Sequence, residues 1–179
     1  MSNKRFLKTE KTIVTAYNKF RARPTVQKIS RYARISRSTL YRHHEIAARI
    51  LDDYEEYLLR IYSKKLRKFI QKDGYSLRVI FCQILVFILN NKSDFIILFK
   101  NGHTEIVGKM LEPLKPRLKN EWNRTTEFEK IFRLYTGEVV GVIDLWSRQD
   151  FADDRLEAVL SDILYLADTA KKHLTPLSI

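Results

Sequence analysis

The side chains best suited to chemistry stand in one short run, residues 37–43. The run holds hydrogen-bond donors and no acid: Arg37, Ser38, Thr39, Tyr41, Arg42 and His43. Such groups donate to phosphate oxygens and to the acceptor edges of bases. A guanidinium can grip guanine O6 and N7 together, which provides about 1–3 kcal/mol of discrimination between bases. The run therefore predicts contact with a nucleic acid.

The charge distribution favours the same partner. The chain of 179 residues has a net charge of +12. Residues 1–50 hold thirteen Lys and Arg against two acids, whereas the other 129 residues hold twenty against nineteen. Nearly all of the excess positive charge therefore lies in the first quarter, as expected for a segment that binds a polyanion. A solvated basic face kept for solubility is the alternative.

A first helix is predicted from about Lys8 to Arg21, with an apolar stripe formed by Ile13, Ala16, Tyr17 and Phe20. The two short helices that follow it are predicted to carry the donors. Thr25 and Ser36 are good N-cap residues, so we expect a helix to begin after each, the second running to about His43. The inward positions are apolar: Val26, Ile29, Ala33, Ile35 and Leu40. A turn of about three residues separates the helices. This spacing is typical of a helix-turn-helix whose second helix reads DNA.

About forty residues around these two helices resemble the N-terminal domain of the TetR family of transcriptional regulators. The matching residues are Thr12, Ile13, Ala16, Phe20, Thr25, Val26, Ile29, Ala33, Ile35, Ser36, Thr39, Leu40, Tyr41 and His43. The resemblance implies an all-helical homodimer that binds a short palindromic operator through its third helix. It also implies a C-terminal domain that often holds an inducer.

Three positions depart from the family pattern. Arg34 stands where the family usually has Gly, so the turn must carry backbone strain or adopt another form. His44 replaces an aromatic residue. Ile46 and Ala47 replace a Ser-Lys pair whose Lys commonly contacts phosphate. Arg34, Arg42 or Arg49 could supply that charge instead.

Resemblance and outward placement together predict the DNA contacts. These are Thr25, Lys28, Arg37, Ser38, Thr39, Tyr41, Arg42 and His43. We expect Arg37 and Thr39 to read bases. Thr25, Lys28 and Tyr41 are expected to contact phosphates, because they lie near helix N-termini or the groove edge.

The rest of the chain predicts an all-α fold, since five Gly and four Pro leave long periodic segments unbroken. A helix from about residue 46 continues to about 71, and others are expected at about 75–91, 93–101, 103–111, 126–148 and 153–174. We assign residues 1–50 to the DNA-binding domain and residues 51–179 to a domain for dimerisation and ligand binding.

The last two predicted helices have the pattern of a dimer interface. Leu156, Leu160, Ile163, Ala167 and Ala170 step by three and four residues, a heptad-like stripe. Gly137 and Gly141 permit close helix approach, and Leu145 adds apolar area. Two such helix pairs, one from each subunit, would form a four-helix bundle. The alternative is that both stripes pack inside one chain.

A ligand cavity is a further expectation, drawn from aromatic residues and the family resemblance. The candidate lining is Phe81, Phe87, Phe99, Tyr135 and Trp146. Aromatic residues at helical spacing more often form core. The ligand would be a small-molecule inducer, and the alternative is a C-terminal domain that binds a protein partner.

Other classes of function find little support. The four His residues and Cys82 lack the spacing of a metal site, and no phosphate loop or catalytic motif is present, so we expect neither metal, cofactor nor enzymatic activity. The apolar run Val79–Leu89 is too short to cross a membrane and predicts a buried helix. A single cysteine and no visible signal peptide favour the cytoplasm. The sequence predicts a transcriptional regulator. The resemblance to the TetR family, whose members are most often repressors, implies a repressor.

Overall fold

The computed structural model describes residues 3–20, 24–43, 49–70, 75–122 and 127–174. Within these ranges the chain forms helices and no strand, which confirms the all-α prediction. The helices are α1 Asn3–Lys19, α2 Val26–Ala33, α3 Arg37–His43, α4 Ile50–Ile70, α5 Leu77–Asn90, α6 Lys92–Lys100, α7 Ile106–Leu111, α8 Lys115–Glu121, α9 Phe128–Ser147 and α10 Leu156–Leu174. Single 3₁₀ turns at Glu112–Leu114 and Asp153–Arg155 precede α8 and α10.

The helix bounds agree with the predictions to within a few residues. The largest difference is the start of α1, expected near Lys8 and found at Asn3. The apolar stripe begins only at Ile13, but no Gly or Pro precedes it, so residues 3–7 extend the helix by more than a turn. The predicted starts near residues 46 and 126 lie outside the described residues.

The chain divides into two compact units, Met1–Leu58 and Leu59–Ile179. The predicted boundary was residue 50. The observed division lies eight residues further on, inside α4, where neither Gly nor Pro marks it. A continuous helix provides no composition change, so the sequence alone could not locate this boundary.

The first unit has a small core, which aliphatic side chains dominate. α1 packs against α2, and α2 against α3. The buried side chains include Ile13, Val14, Ala16, Ile29, Ala33, Leu40, Ile50, Leu51, Tyr54 and Leu58. Among the described residues of this unit, Tyr54 is the one aromatic residue that is buried, while Tyr32 and Tyr41 are about half exposed. This core holds the short helices and leaves their outer faces to solvent.

The second unit is larger and its core is rich in aromatic rings. α9 packs along α10 and α7, and α10 also contacts α5. The rings meet mostly edge to face, as between Trp146 and Phe151, whose centroids are 5.1 Å apart. Such pairs add about 0.5–1.5 kcal/mol each beyond the apolar area that they bury.

The predicted apolar helix at Val79–Leu89 is α5, whose buried residues include Ile80, Phe81 and Ile84. Among the described residues, no single helix is long and apolar enough to cross a membrane. α5 and α6 reach the required length and hydropathy only when taken together, and they meet at a bend of 82°.

Candidate nucleic-acid interface

α2 begins where the sequence predicted. The Thr25 hydroxyl accepts a hydrogen bond from the Lys28 backbone N–H at 3.4 Å, which satisfies one of the free donors of the first turn. Ile29 and Ala33 lie on the buried face of this helix. Thr25 and Lys28 are exposed, so both predicted phosphate contacts on this helix are accessible.

The turn after α2 ends the helix with a left-handed residue. Arg34 has φ 53° and ψ 43°, and its N–H donates to the Arg31 carbonyl at 3.4 Å. The Ile35 N–H donates to the Ser30 carbonyl at 3.0 Å, which completes a Schellman motif. Of the two alternatives for Arg34, the chain therefore adopts the strained one, at a cost of about 1–2 kcal/mol relative to an ordinary helical residue.

Ser36 caps α3 and fixes its start. Its hydroxyl accepts from the Thr39 N–H at 3.0 Å, and its carbonyl accepts from the Leu40 N–H at 3.1 Å. Leu40 is 1% exposed and anchors the helix from its inner side. Cap and anchor both hold α3, and the side chains of Arg37, Tyr41 and Arg42 face outward.

The outer face of α3 carries the predicted donors. Arg37, Ser38 and Arg42 are exposed, and Tyr41 is 54% exposed. None of the four is an acid or a large aliphatic residue, so the face offers hydrogen-bond donors over its exposed length. These side chains can donate hydrogen bonds to phosphate oxygens or to the acceptor edges of bases.

Two of the predicted contacts are less accessible. Thr39 and His43 are half-buried. The Ser36 hydroxyl lies 2.8 Å from the Thr39 hydroxyl and also 2.8 Å from the Ser38 hydroxyl. The cap therefore already engages Thr39, which suits it better to positioning α3 than to reading a base. Arg37 remains the stronger candidate for that role.

The structure adds a basic depression beside the turn that the sequence reasoning missed. Phe20, Lys28, Arg31, Tyr32 and Arg34 line it. The Tyr32 ring, 49% exposed, packs edge-on against Phe20 at 5.9 Å. Three cations on one open surface extend the basic area beyond α3. The spacing of Lys28 and Arg31, one helical turn apart, was the available signal.

The predicted dimer residues fall into two groups. Leu160, Ile163, Ala167 and Ala170 are buried within one chain. Their stripe is therefore internal packing, the alternative left open above, because α10 lies against α9 and α5. Leu156 is half-buried. The four buried residues are therefore not part of the candidate interface, and Leu156 lies at its margin.

The other group forms an outward face on α9. Leu145 is 62% exposed, and Gly137 and Gly141 are exposed with open space where a Cβ would stand. Leu134, 61% exposed, continues this face one turn towards the N-terminus. On α10 the sequence reasoning missed Tyr165, which is 70% exposed. Its position two residues after the buried Ile163 places it on the opposite side of the helix.

The five aromatic residues predicted to line a cavity are mainly core. All five are buried. The Phe81 ring meets Tyr135 at 6.4 Å, and Phe99 meets Phe151 at 5.8 Å. Burial raises the pKa of the Tyr135 hydroxyl, which therefore stays protonated at neutral pH. Phe87 is the member of the five that also lines a groove, described below.

Metal-binding residues do not gather in the described part of the chain. It holds no group of three or more His, Cys, Asp or Glu able to bind an ion. His44 lies outside the described residues, and His43 is a half-buried residue at the end of α3. Cys82 is a half-buried free thiol on α5.

Comparison of the chain with protein-family models, curated proteins and solved structures found no match. The resemblance to TetR regulators accordingly rests on the residues named in the sequence analysis. Any function must be argued from the geometry and charge of the described residues.

Proposed function

We propose that the protein is a homodimeric transcriptional repressor that binds a palindromic operator in double-stranded DNA. The observation that carries the proposal is the outer face of α3, where Arg37, Tyr41 and Arg42 are exposed and no acid interrupts them. A helix with only a structural role has no need to expose so many donors on one face. Leu40, buried on the opposite side, keeps that face outward.

Affinity in this proposal comes from phosphate contacts. The net charge of +11 on residues 1–50 follows from thirteen bases and two acids. Each phosphate neutralised releases condensed counterions, so the logarithm of the binding constant falls with the logarithm of salt concentration by about 0.9 per phosphate. Thr25 and Lys28, both exposed, fit this role.

Sequence choice comes from α3. An α-helix with its side chains is about 10–12 Å across, which fits a major groove about 12 Å wide, and the seven residues of α3 give it a length of roughly 10 Å. Recognition helices contact bases through their N-terminal residues, and Arg37 lies exposed in the first turn of α3, which supports it as the base-reading residue. So short a helix reads few base pairs, which favours two copies acting on two half-sites.

The outward face of α9 supports a second copy as the partner. Leu134 and Leu145 each expose more than half of their surface, and Gly137 and Gly141 between them leave the backbone open to a neighbouring helix. Isolated exposed leucines are ordinary, but two on one glycine-bearing face are typical of a helix interface. Tyr165 adds a ring on α10.

In vitro selection of duplexes from a random pool tests the DNA proposal. We expect a palindromic motif with half-sites about one helical turn apart or somewhat more. Arg37→Ala should lose preference at one position of each half-site, whereas Thr39→Ala should retain the motif. Arg155→Ala, an exposed arginine of the second unit, is the matched control and should select the wild-type motif. Selection without any enriched motif would refute the proposal.

Sedimentation of a charged variant tests the dimer. Leu145→Glu places a carboxylate within the proposed contact, and we expect a shift from dimer to monomer at micromolar concentration. Ser93→Glu, which introduces the same charge at an exposed site of α6 outside the proposed face, should remain dimeric. A wild-type protein that sediments as a monomer would exclude this interface.

A further inference from the structure

A groove of about 310 Å³ lies between the second half of α4 and α5, within the second unit. Its floor is apolar and includes Leu66, Val86 and Phe87. Its polar lining comes from Lys64, Lys65 and Gln83, among others. The volume is at the lower end of the range of about 300–1,000 Å³ common for small-molecule sites.

The charge around the groove has one sign. Residues 57–72 contain six Lys and Arg and no acid. Among the described residues, Lys64 and Lys65 form no ion pair, and the Lys65 ammonium stands 5.5 Å from the centre of the Phe87 ring. Because an aromatic ring carries no net charge, this contact does not neutralise the Lys65 ammonium, which can still pair with an anion. The nearly balanced charge of residues 51–179 as a whole conceals this local excess.

Tyr62 makes the inner wall rigid and neutral. Its hydroxyl donates to the Met110 carbonyl at 2.8 Å, and its ring packs against Phe87 at 5.4 Å. Burial raises the pKa of Tyr62, so its phenol stays protonated over the ordinary pH range. No negative group of the described lining therefore opposes an anion.

We propose that this groove of about 310 Å³ binds an amphipathic monocarboxylate, whose hydrocarbon body it encloses. The carboxylate would meet Lys64 and Lys65 at the rim, where a charge-assisted hydrogen bond to an ammonium is stronger than a neutral one. The chain would lie on Val86, Leu66 and Phe87. The site differs from the aromatic cluster expected from the sequence, with which it shares Phe87.

Calorimetric titration of the full chain without DNA tests the ligand class, so the result is independent of the DNA-binding proposal. The probes share one tail and differ in the head group: decanoate, decanol and decyltrimethylammonium. We expect one decanoate per chain, weaker binding of decanol and none of the cation. Lys65→Gln should weaken decanoate about tenfold, the loss of one charge-assisted contact, and leave decanol unchanged.

Lys119→Gln is the matched control, because the Lys119 ammonium also stands over a ring, that of Phe128 at 5.8 Å, but lies outside the groove. It should bind decanoate like the wild type. Val86→Trp, which fills the groove, should abolish binding of both decanoate and decanol, with its thermal melt checked for retained folding. Equal affinity for decanoate and decanol, an unaffected Lys65→Gln variant, or no decanoate binding at millimolar concentration would overturn the proposal.

Discussion

Two turns in different units adopt left-handed backbone without glycine. In the first unit Arg34 has φ 53°, and in the second Asp150 and Phe151 have φ 49° and 52°. Left-handed backbone costs an L-residue about 1–2 kcal/mol in each case. The side chains nevertheless have opposite environments, since Arg34 is exposed and Phe151 is 0% exposed.

The second turn is stabilised by the Phe151 ring, which packs among other aromatic rings of the core. The Phe151 ring contacts Trp146 at 5.1 Å and Phe99 at 5.8 Å. Its N–H donates to the Trp146 carbonyl at 3.1 Å, and the Trp146 indole N–H donates to the Ala152 carbonyl at 3.0 Å. Core packing and hydrogen bonds thus offset the strain between α9 and α10.

The first turn has no such compensation in the core. Arg34 lines the basic depression with Lys28 and Arg31, so its side chain adds charge rather than apolar packing. Left-handed residues other than glycine are therefore retained for different reasons in the two units: for stability in the second and, in our proposal, for anion binding in the first.

The largest expected effect is the removal of the buried ring. Phe151→Ala should lower the free energy of unfolding by about 3–5 kcal/mol, because it leaves a cavity among aromatic neighbours. Urea unfolding followed by circular dichroism measures the change. Tyr41→Ala removes an exposed ring from the first unit and should alter stability by no more than about 0.5 kcal/mol. Equal losses in the two variants would break the comparison.

An intermediate effect of opposite sign is expected at the first turn. Arg34→Gly should raise the free energy of unfolding by about 1 kcal/mol, because glycine adopts the left-handed conformation without Cβ strain. Arg31→Gly, also at an exposed arginine but inside α2, should lower it by about 1 kcal/mol. The same urea experiment reports both, and destabilisation by Arg34→Gly would show that its side chain supports the fold.

The smallest effect concerns a surface ion pair of the second unit. Lys115 Nζ lies 2.7 Å from Glu129 Oε2, and this hydrogen bond lowers the pKa of Glu129 and raises that of Lys115. Because the pKa of Glu129 is lowered in the folded state, its contribution to stability is present above the unfolded pKa and is lost as the pH falls through the folded pKa. Because the pKa of Lys115 is raised, its contribution is present below the unfolded pKa and is lost as the pH rises through the folded pKa.

Glu129→Gln should therefore lower the melting temperature slightly at pH 7, and the difference from the wild type should vanish as the pH falls below the lowered pKa of Glu129. Glu127→Gln, whose carboxylate lies 3.9 Å from Lys130, should change it less. Thermal melts over a pH series measure both. A difference that persists in acid would assign the effect to packing and not to charge.

The sequence predicted local features well because local chemistry determines them. Thr25 and Ser36 were expected to cap α2 and α3, and both hydroxyls accept the hydrogen bonds that a cap requires. Helix periodicity and the scarcity of Gly and Pro were sufficient for the all-α class. Arg34 was identified as a conflict between residue type and turn, and its positive φ agrees with that expectation.

Features that depend on a neighbour were predicted less well. The stripe of Leu160 and Ile163 was placed at a dimer interface, yet one chain buries it. Periodicity identifies an apolar face but not which surface covers it. Thr39 was expected to face a base, but the Ser36 hydroxyl beside it decides its environment.

The helical class, the two caps and the concentration of positive charge before residue 50 follow from residue types alone, since each depends on residues close together in the chain. Packing in three dimensions sets the other placements: Phe151 enters the core, Leu134 and Leu145 stay outside it, and Lys65 stands over Phe87. These placements depend on packing between helices distant in sequence, whose free energy no single segment contains.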